Sequence, residues 1–255
     1  MKNAGIINFA NPKILGTKVY PTTYRQAADQ IMKWALSSQS RYVCVANVHM
    51  VMEAYDDSDF KKVVNNADMI TPDGMPLVWL LRMLGYPLKD RVCGPVLTMW
   101  VLEEAACRGV PVGFYGGAPE VLENLIENMQ KKFPNLMIDF QMSPPFRELT
   151  PQEEKNIINK INLSGIKILF VGLGCPKQEK WMAKHKDCLN CVMLGVGAAF
   201  DFHSGKIKQA PEWMQTRGLE WLFRLLMEPR RLWKRYLKHN SRFAALAIVE
   251  LFKKF

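Results

Sequence analysis

From Gly109 to Gly197 the sequence repeats one unit: a short apolar run, a glycine-bearing turn or capping signal, and a longer amphipathic stretch. Val110–Tyr115 leads through Gly116-Gly117-Ala118-Pro119 into a helical pattern over Glu120–Phe133. Leu136–Phe140 is followed by Thr150-Pro-Gln-Glu153, a capping box that opens a helix to Leu163. Ile166–Val171 passes through Gly172-Leu-Gly174-Cys-Pro176 into a further helix, and Cys191–Val196 ends in Gly197. Strand and helix in strict alternation leave few folds open, and the simplest is a parallel sheet with helices on both faces.

The N-terminal half fits the same scheme. Thr22 or Thr23 caps a helix running to about Leu36, and Arg41–Val48 is a continuous apolar run of the kind buried on both faces of a parallel sheet. The expected fold class is therefore α/β, a Rossmann-like doubly wound, mostly parallel sheet, with residues 1–204 as one α/β domain. Residues 205–255 form a helical C-terminal appendage broken at Pro229.

Polar residues that follow such strands lie at the carboxyl edge of the sheet, where open α/β folds take ligands. Asn47 and His49 stand at one such point, and Asp73 at another, inside Thr71-Pro72-Asp73-Gly74. From turn chemistry alone, Asp73 is either a turn or capping residue for the helix starting near Pro76, or a carboxylate directed into a cleft. The segment Pro76–Leu84 is apolar nearly all round and is expected to be buried. Gly94-Pro95 reads as a fixed turn directly after Arg91, which either pairs with a surface acid or faces a diphosphate. Two glycine turns, at Gly116-Gly117 and at Gly172 and Gly174, precede helix N-termini and so resemble anion sites. Neither is Gly-x-Gly-x-x-Gly, and no Gly-Lys-Ser/Thr occurs, so a nucleotide is favoured over a dinucleotide or a transferable γ-phosphate.

Charge is placed unevenly. Residues 206–255 hold twelve Lys/Arg against four Asp/Glu, a net +8 out of the chain's +10. Arg231, Lys234, Arg235, Lys238 and Arg242 fall on one helical stripe, with Leu232, Trp233, Tyr236 and Leu237 opposite. Cationic on one side and apolar-aromatic on the other is the pattern of a helix lying on an anionic membrane surface; a helix docked on its own core is the alternative. No apolar stretch reaches the ~20 residues that span a bilayer, and no secretory leader pattern is expected in Met1–Ala10. Six irregularly placed cysteines indicate reduced thiols rather than a disulfide framework, and Cys188-x-x-Cys191 stands alone. A nucleotide-binding oxidoreductase is disfavoured by the missing fingerprint. A nucleic-acid-binding protein is disfavoured by the near-neutral body and the aromatic side of the tail.

As an ordered set, several motifs resemble the WecG/TagA/CpsF glycosyltransferase family. They are Ala46-Asn47-Val48-His49-Met50, Pro72-Asp73-Gly74, Arg91-Val92-Cys93-Gly94, Gly172-Leu-Gly-Cys-Pro-Lys-Gln-Glu-Lys-Trp181, Gly195–Phe202, Gly218–Arg224 and Glu228–Tyr236. The resemblance implies an inverting transferase that moves a sugar, N-acetylmannosamine or a related hexose, from a UDP-sugar to an undecaprenyl-diphosphate-linked saccharide. It implies a role in cell-surface polysaccharide synthesis at the inner face of the bacterial plasma membrane, with no metal and no cofactor. Carried over residue by residue, Asp73 becomes the general base, Arg91 faces the diphosphate, and Gln178 completes the catalytic set. Asn47, His49, Gly116, Gly117, Gly172, Gly174, Lys177 and Asp201 become candidates for substrate binding, and Arg224, Arg231, Lys234 and Arg235 for the lipid diphosphate and membrane. Expected partners are the UDP-sugar, the lipid-linked diphosphate and an anionic membrane, not nucleic acid, and a homo-oligomer is left open. Two positions depart from relatives. Val45 stands where some have threonine, and Lys234 where arginine is common, which keeps the charge but not a bidentate grip.

Overall fold

In the computed structural model the described residues are 12–211, 213–214 and 217–252; inside the last helix nothing is said of the side chains of Arg231, Lys234 and Arg235. Six strands form one all-parallel sheet: β3 (Arg41–Ala46), β4 (Met69–Pro72), β5 (Val112–Gly116), β6 (Ile138–Met142), β7 (Ile168–Gly172) and β8 (Val192–Gly195). Their order is β4-β3-β8-β7-β5-β6, preceded in the chain by a two-stranded hairpin, β1 (Lys13–Ile14) and β2 (Thr17–Lys18). Strands β3, β7 and β8 read as unbroken apolar runs because helices cover both their faces: Val43, Cys44, Ile168, Phe170 and Leu194 are wholly buried. The edge strand β6 alternates instead, with Asp139 and Gln141 exposed.

One face carries α1 (Tyr24–Leu36), α5 (Gly94–Arg108), α6 (Pro119–Lys132) and α9 (Ala199–His203). The other carries α2 (Val48–Asp56), α3 (Ser58–Asn65) and α8 (Lys177–His185), with α7 (Pro151–Leu163) joined to α8 through Glu154 and Lys184. Of the two threonines before α1, Thr23 is the cap, in a reciprocal capping box with Gln26; Thr150 and Glu153 repeat the device at α7.

Two expectations change, and the N-terminal stretch, for which no element was expected, gains a place. Gly94-Pro95 is not a free turn but the first turn of α5, a fifteen-residue helix; the fixed φ of proline suits that position and its missing N–H costs nothing there. Helix α4 (Met75–Met83) is not buried all round: Trp79 is 45% and Met83 54% exposed. The N-terminal stretch, which carries little pattern, lies across the free edge of β4, where Tyr20 N–H donates to the Ile70 carbonyl (2.8 Å).

The appendage consists of α10 (Glu220–Met227) and α11 (Pro229–Phe252), separated at Pro229 as expected. Leu232, Phe243 and Ala247 of α11 are buried, Arg242 grips Asp56 of α2 through both terminal nitrogens (2.8 Å each), and Glu250 accepts from Leu15 N–H (2.8 Å). None of the described helices is long and apolar enough to cross a membrane.

At the centre of the sheet, Gly116 and Gly172 end neighbouring strands and touch. A Cβ on Gly116, which sits at φ +127°, would lie 2.6 Å from the Gly172 backbone, and one on Gly172 would lie 2.7 Å from the Phe200 ring. Substituting Gly116→Ala is expected to destabilise the fold by roughly 2–5 kcal/mol, through overpacking and a forbidden φ together. Urea denaturation measures this, and a loss under 1 kcal/mol would show that the strand ends can separate freely.

Candidate active site

Asp73 leaves the carboxyl end of β4 in a turn fixed by backbone bonds on both sides. Its N–H donates to the Ala46 carbonyl (2.6 Å), continuing the β3–β4 ladder, and Gly74, at φ +140°, turns the chain into α4. On the outer side Val92 N–H donates to the Pro72 carbonyl (2.8 Å), while the Thr71 hydroxyl donates to the Val92 carbonyl (3.1 Å). Residue 91 is thereby laid beside residue 73, although α4 intervenes in sequence. Tyr24 OH reinforces the segment by accepting from Cys93 N–H (3.2 Å).

The Arg91 guanidinium is buried and stands between two carboxylates. Its Nη1 is 4.0 Å from Asp73 Oδ1, and its Nη2 is in close contact with Glu220 Oε2 of α10. A second cation, Arg224, comes from the same helix, stacked over the Phe202 ring (5.6 Å) and 4.0 Å from Glu228. Its Nε is buried and has no hydrogen-bond partner among the described residues. Burial pushes the Asp73 carboxyl up to about 7; Arg91 and Arg224 hold it down, and the Glu220 charge adds to the rise.

These groups line a cavity of about 120 Å³ together with Asn47, His49, Tyr236, His239 and Asn240. Asn47 is also the N-cap of α2, accepting from Met50 N–H (3.1 Å). His49 and His239 lie ring to ring (5.0 Å), with Glu53 carboxylate 3.8 Å from the first and 3.5 Å from the second. That trio joins α2 to α11, and its ligand-type atoms lie within 4.8 Å of one another, so it has the donor chemistry for a cation.

The cavity opens into a much larger groove, about 720 Å³, walled almost entirely by apolar side chains. Trp79, Leu80 and Met83 of α4 form one side, and Leu225, Trp233, Leu237, Ala244 and Ile248 of α10 and α11 the other. Val48, Pro76, Trp221, Tyr236 and Asn240 belong to both.

The remaining candidates lie elsewhere. Gln178 is buried, accepts from Gly174 N–H (3.2 Å) and donates to Glu179 (2.7 Å), so its amide braces the β7–α8 turn. Gly116, Gly117 and Gly172 are packed against one another and Phe200, where Gly117 N–H donates to the Gly172 carbonyl (3.1 Å). Gly174 and Lys177 lie on the rim of that turn, and Asp201 on α9 pairs with Lys206 (3.5 Å). Arg231, Lys234 and Arg235 belong to the backbone of α11, but their side chains lie outside the described residues. The structure adds Glu220, Trp221, Tyr236, His239 and Asn240 to the site. Glu220 had a signal: it precedes Arg224 by four residues, so a helix that presents one presents the other.

Fold and site together define a class, Rossmann-like α/β enzymes with a charged cavity at the carboxyl edge of the sheet. Comparison with known proteins is more specific. Residues 12–255 match the sequence model of the Glycosyl transferase WecG/TagA/CpsF family, and the chain belongs to that family and is a glycosyltransferase. Among curated relatives it is similar to an N-acetylglucosaminyldiphosphoundecaprenol N-acetyl-beta-D-mannosaminyltransferase of Bacillus spizizenii, with 31% identity over 78% of this chain and 76% of the relative. A protein of the same name from Bacillus subtilis is 28% identical over 76% and 74%.

A carboxyl whose folded pKa exceeds its unfolded value favours the native state only while protonated, so its ionisation costs stability as pH rises from about 4 to about 7. Asp73→Asn is therefore expected to be more stable than the parent at pH 8, by roughly 1–4 kcal/mol, with the gap closing toward pH 4. Thermal unfolding across that range measures it, and a gap that does not change with pH would refute the raised pKa.

Proposed function

We propose that this chain moves an N-acetylhexosamine, of the mannosamine type, from a UDP-sugar to a saccharide carried on a polyprenyl diphosphate, with inversion and without a metal or other cofactor. The observation that carries this reading is the continuity of the apolar groove with the Asp73–Arg91 cavity. A substrate that is apolar at one end and anionic at the other fits both at once, and the two curated relatives are named for transfer to such a molecule.

In this reading the isoprenoid end lies along α4 and α11, and the acceptor's diphosphate and saccharide where the groove meets the cavity. Asp73 removes the proton from the acceptor hydroxyl as that oxygen bonds to the anomeric carbon of the donor. The bond to the UDP oxygen breaks on the opposite face, and UDP departs with its electron pair. Arg91 and the Nε of Arg224, which has no hydrogen-bond partner among the described residues, supply the positive charge and N–H donors that an accumulating diphosphate charge requires. A base titrating near 7 is matched to work at neutral pH, accepting a proton in the transition state and losing it readily afterward. The exposed rim of the groove, Trp79, Met83, Leu237 and Ile248, lies against the inner leaflet of the plasma membrane, with Lys238 facing anionic headgroups.

A panel of UDP-N-acetylhexosamines tested on a short-chain polyprenyl-diphosphate N-acetylglucosamine is the direct assay. UDP-N-acetylmannosamine is expected to turn over, with kcat/KM rising with pH to a plateau above about 7, and Asp73→Asn is expected to lower kcat by at least 10³-fold. Near-parental turnover in that variant, with the fold intact, would sink the assignment of Asp73. Leu237→Glu, at a 68%-exposed apolar site on the groove wall, is expected to weaken pelleting with anionic vesicles and to raise the KM for the polyprenyl acceptor. Unchanged pelleting would remove this rim from the membrane contact.

A further inference from the structure

The mechanism above leaves the partly buried Glu220 carboxylate at the cavity without a task. Glu220 is the first residue of α10, its side chain is 17% exposed, and its carboxylate is engaged with Arg91, 129 residues earlier in the chain. A salt bridge needing two desolvated charges is weak evidence for stability, so its placement asks for another reason. An arginine and an aspartate side by side in a half-closed cavity would ordinarily close into a bidentate pair, which lowers the carboxyl pKa by about 1–3 units and occupies the lone pairs a base must use. Here they do not close: Arg91 Nη1 stays 4.0 Å from Asp73 Oδ1, beyond hydrogen-bond distance, while the Nη2 edge is turned to Glu220.

We propose that Glu220 is a positioning residue for the transfer reaction: by holding the Nη2 edge of Arg91, it keeps that guanidinium off Asp73 and leaves the aspartate lone pairs open to the acceptor hydroxyl. This rests on the reading of Asp73 as base and deepens it. The groups that face Asp73 are Arg91 and Cys93 from the segment after α4, Glu220 and Arg224 from α10, Tyr24 from α1, and the cavity histidines His49 and His239. Of these only Glu220 has a carboxylate in contact with Arg91, and only it both restrains the arginine and opposes ionisation of the aspartate. Because Glu220 arrives on the appendage, the base is freed only when α10 is seated on the sheet edge.

The test is the pH profile of kcat/KM for the parent, Glu220→Gln, Glu220→Asp and Asp73→Asn in the full chain, with thermal unfolding alongside. Glu220→Gln keeps the volume and one acceptor but removes the charge. The expected result is an acid limb displaced downward by about 1 unit or more as Arg91 closes on Asp73. A fall in kcat of about tenfold or more is expected with it, a donor KM within about threefold, and little change in melting temperature. Glu220→Asp retains the charge and is expected to keep the limb near its parental position. A limb that stays in place in Glu220→Gln overturns the proposal, whether kcat is unchanged or falls together with melting temperature. If Asp73→Asn retains activity, the underlying assignment of the base fails instead. If Asp73→Asn is inactive and the Glu220→Gln limb is unmoved, only the role of Glu220 fails. Independently of turnover, 13C NMR of the aspartate carboxyls is expected to show a group titrating near 7, absent in Asp73→Asn and displaced downward in Glu220→Gln; identical titration in parent and Glu220→Gln overturns the proposal as well.

Discussion

The charged part of the site depends on one short stretch of backbone pairing. Asp73 N–H to Ala46 and Val92 N–H to Pro72 set the end of β4 between a strand on one side and an irregular segment on the other. Without the second bond, Arg91 would be a surface arginine after a helix. With it, a cation is held beside a carboxylate at the sheet edge, and the appendage has two charges against which to dock. The energetics are local: backbone bonds of about 1 kcal/mol each fix the register, and the cost of desolvating the aspartate is carried by a fold whose core is assembled elsewhere.

Most of the sheet was legible in the sequence because apolar runs of four to six residues between turn signals are too short for helices and read as strands buried on both faces. Val43–Ala46 and Ile168–Val171 have no polar position to spare, and helices with capping boxes announce their own starts. The elements that escaped did so for physical reasons. Helix α5 begins in Gly94-Pro95, a dipeptide that serves equally for a loop or a first helical turn, and only the neighbouring Val196 backbone, 3.1 Å from where a Gly94 Cβ would stand, decides. The hairpin β1–β2 is two residues wide on each side, below any periodicity.

The site was legible in part. Asn47, His49, Asp73, Arg91 and Arg224 converge on the cavity: the first three follow strand ends, Arg91 is laid beside Asp73 by the Val92 to Pro72 bond, and Arg224 comes from the appendage. The glycine turns at Gly116 and Gly172 carry the pattern of a phosphate loop, yet close packing of the strand ends against Phe200 demands the same residues. A sequence cannot separate a glycine kept for a ligand's approach from one kept for a neighbour's. Glu220 carried only an indirect signal, its four-residue spacing from Arg224: its partner lies on another element, and a glutamate in an amphipathic helix looks like an ordinary solvated charge.

Helix α4 was expected to vanish into the core and instead turns Trp79 and Met83 outward along the groove. The groove and the polar cavity share Val48, Pro76, Trp221, Tyr236 and Asn240, so they are two rooms with a common partition. Any change to that partition is felt on both sides. Redesigning the groove will disturb the polar cavity, and redesigning the cavity will reshape the apolar groove. The two shapes are a single trait, carried by a single set of residues.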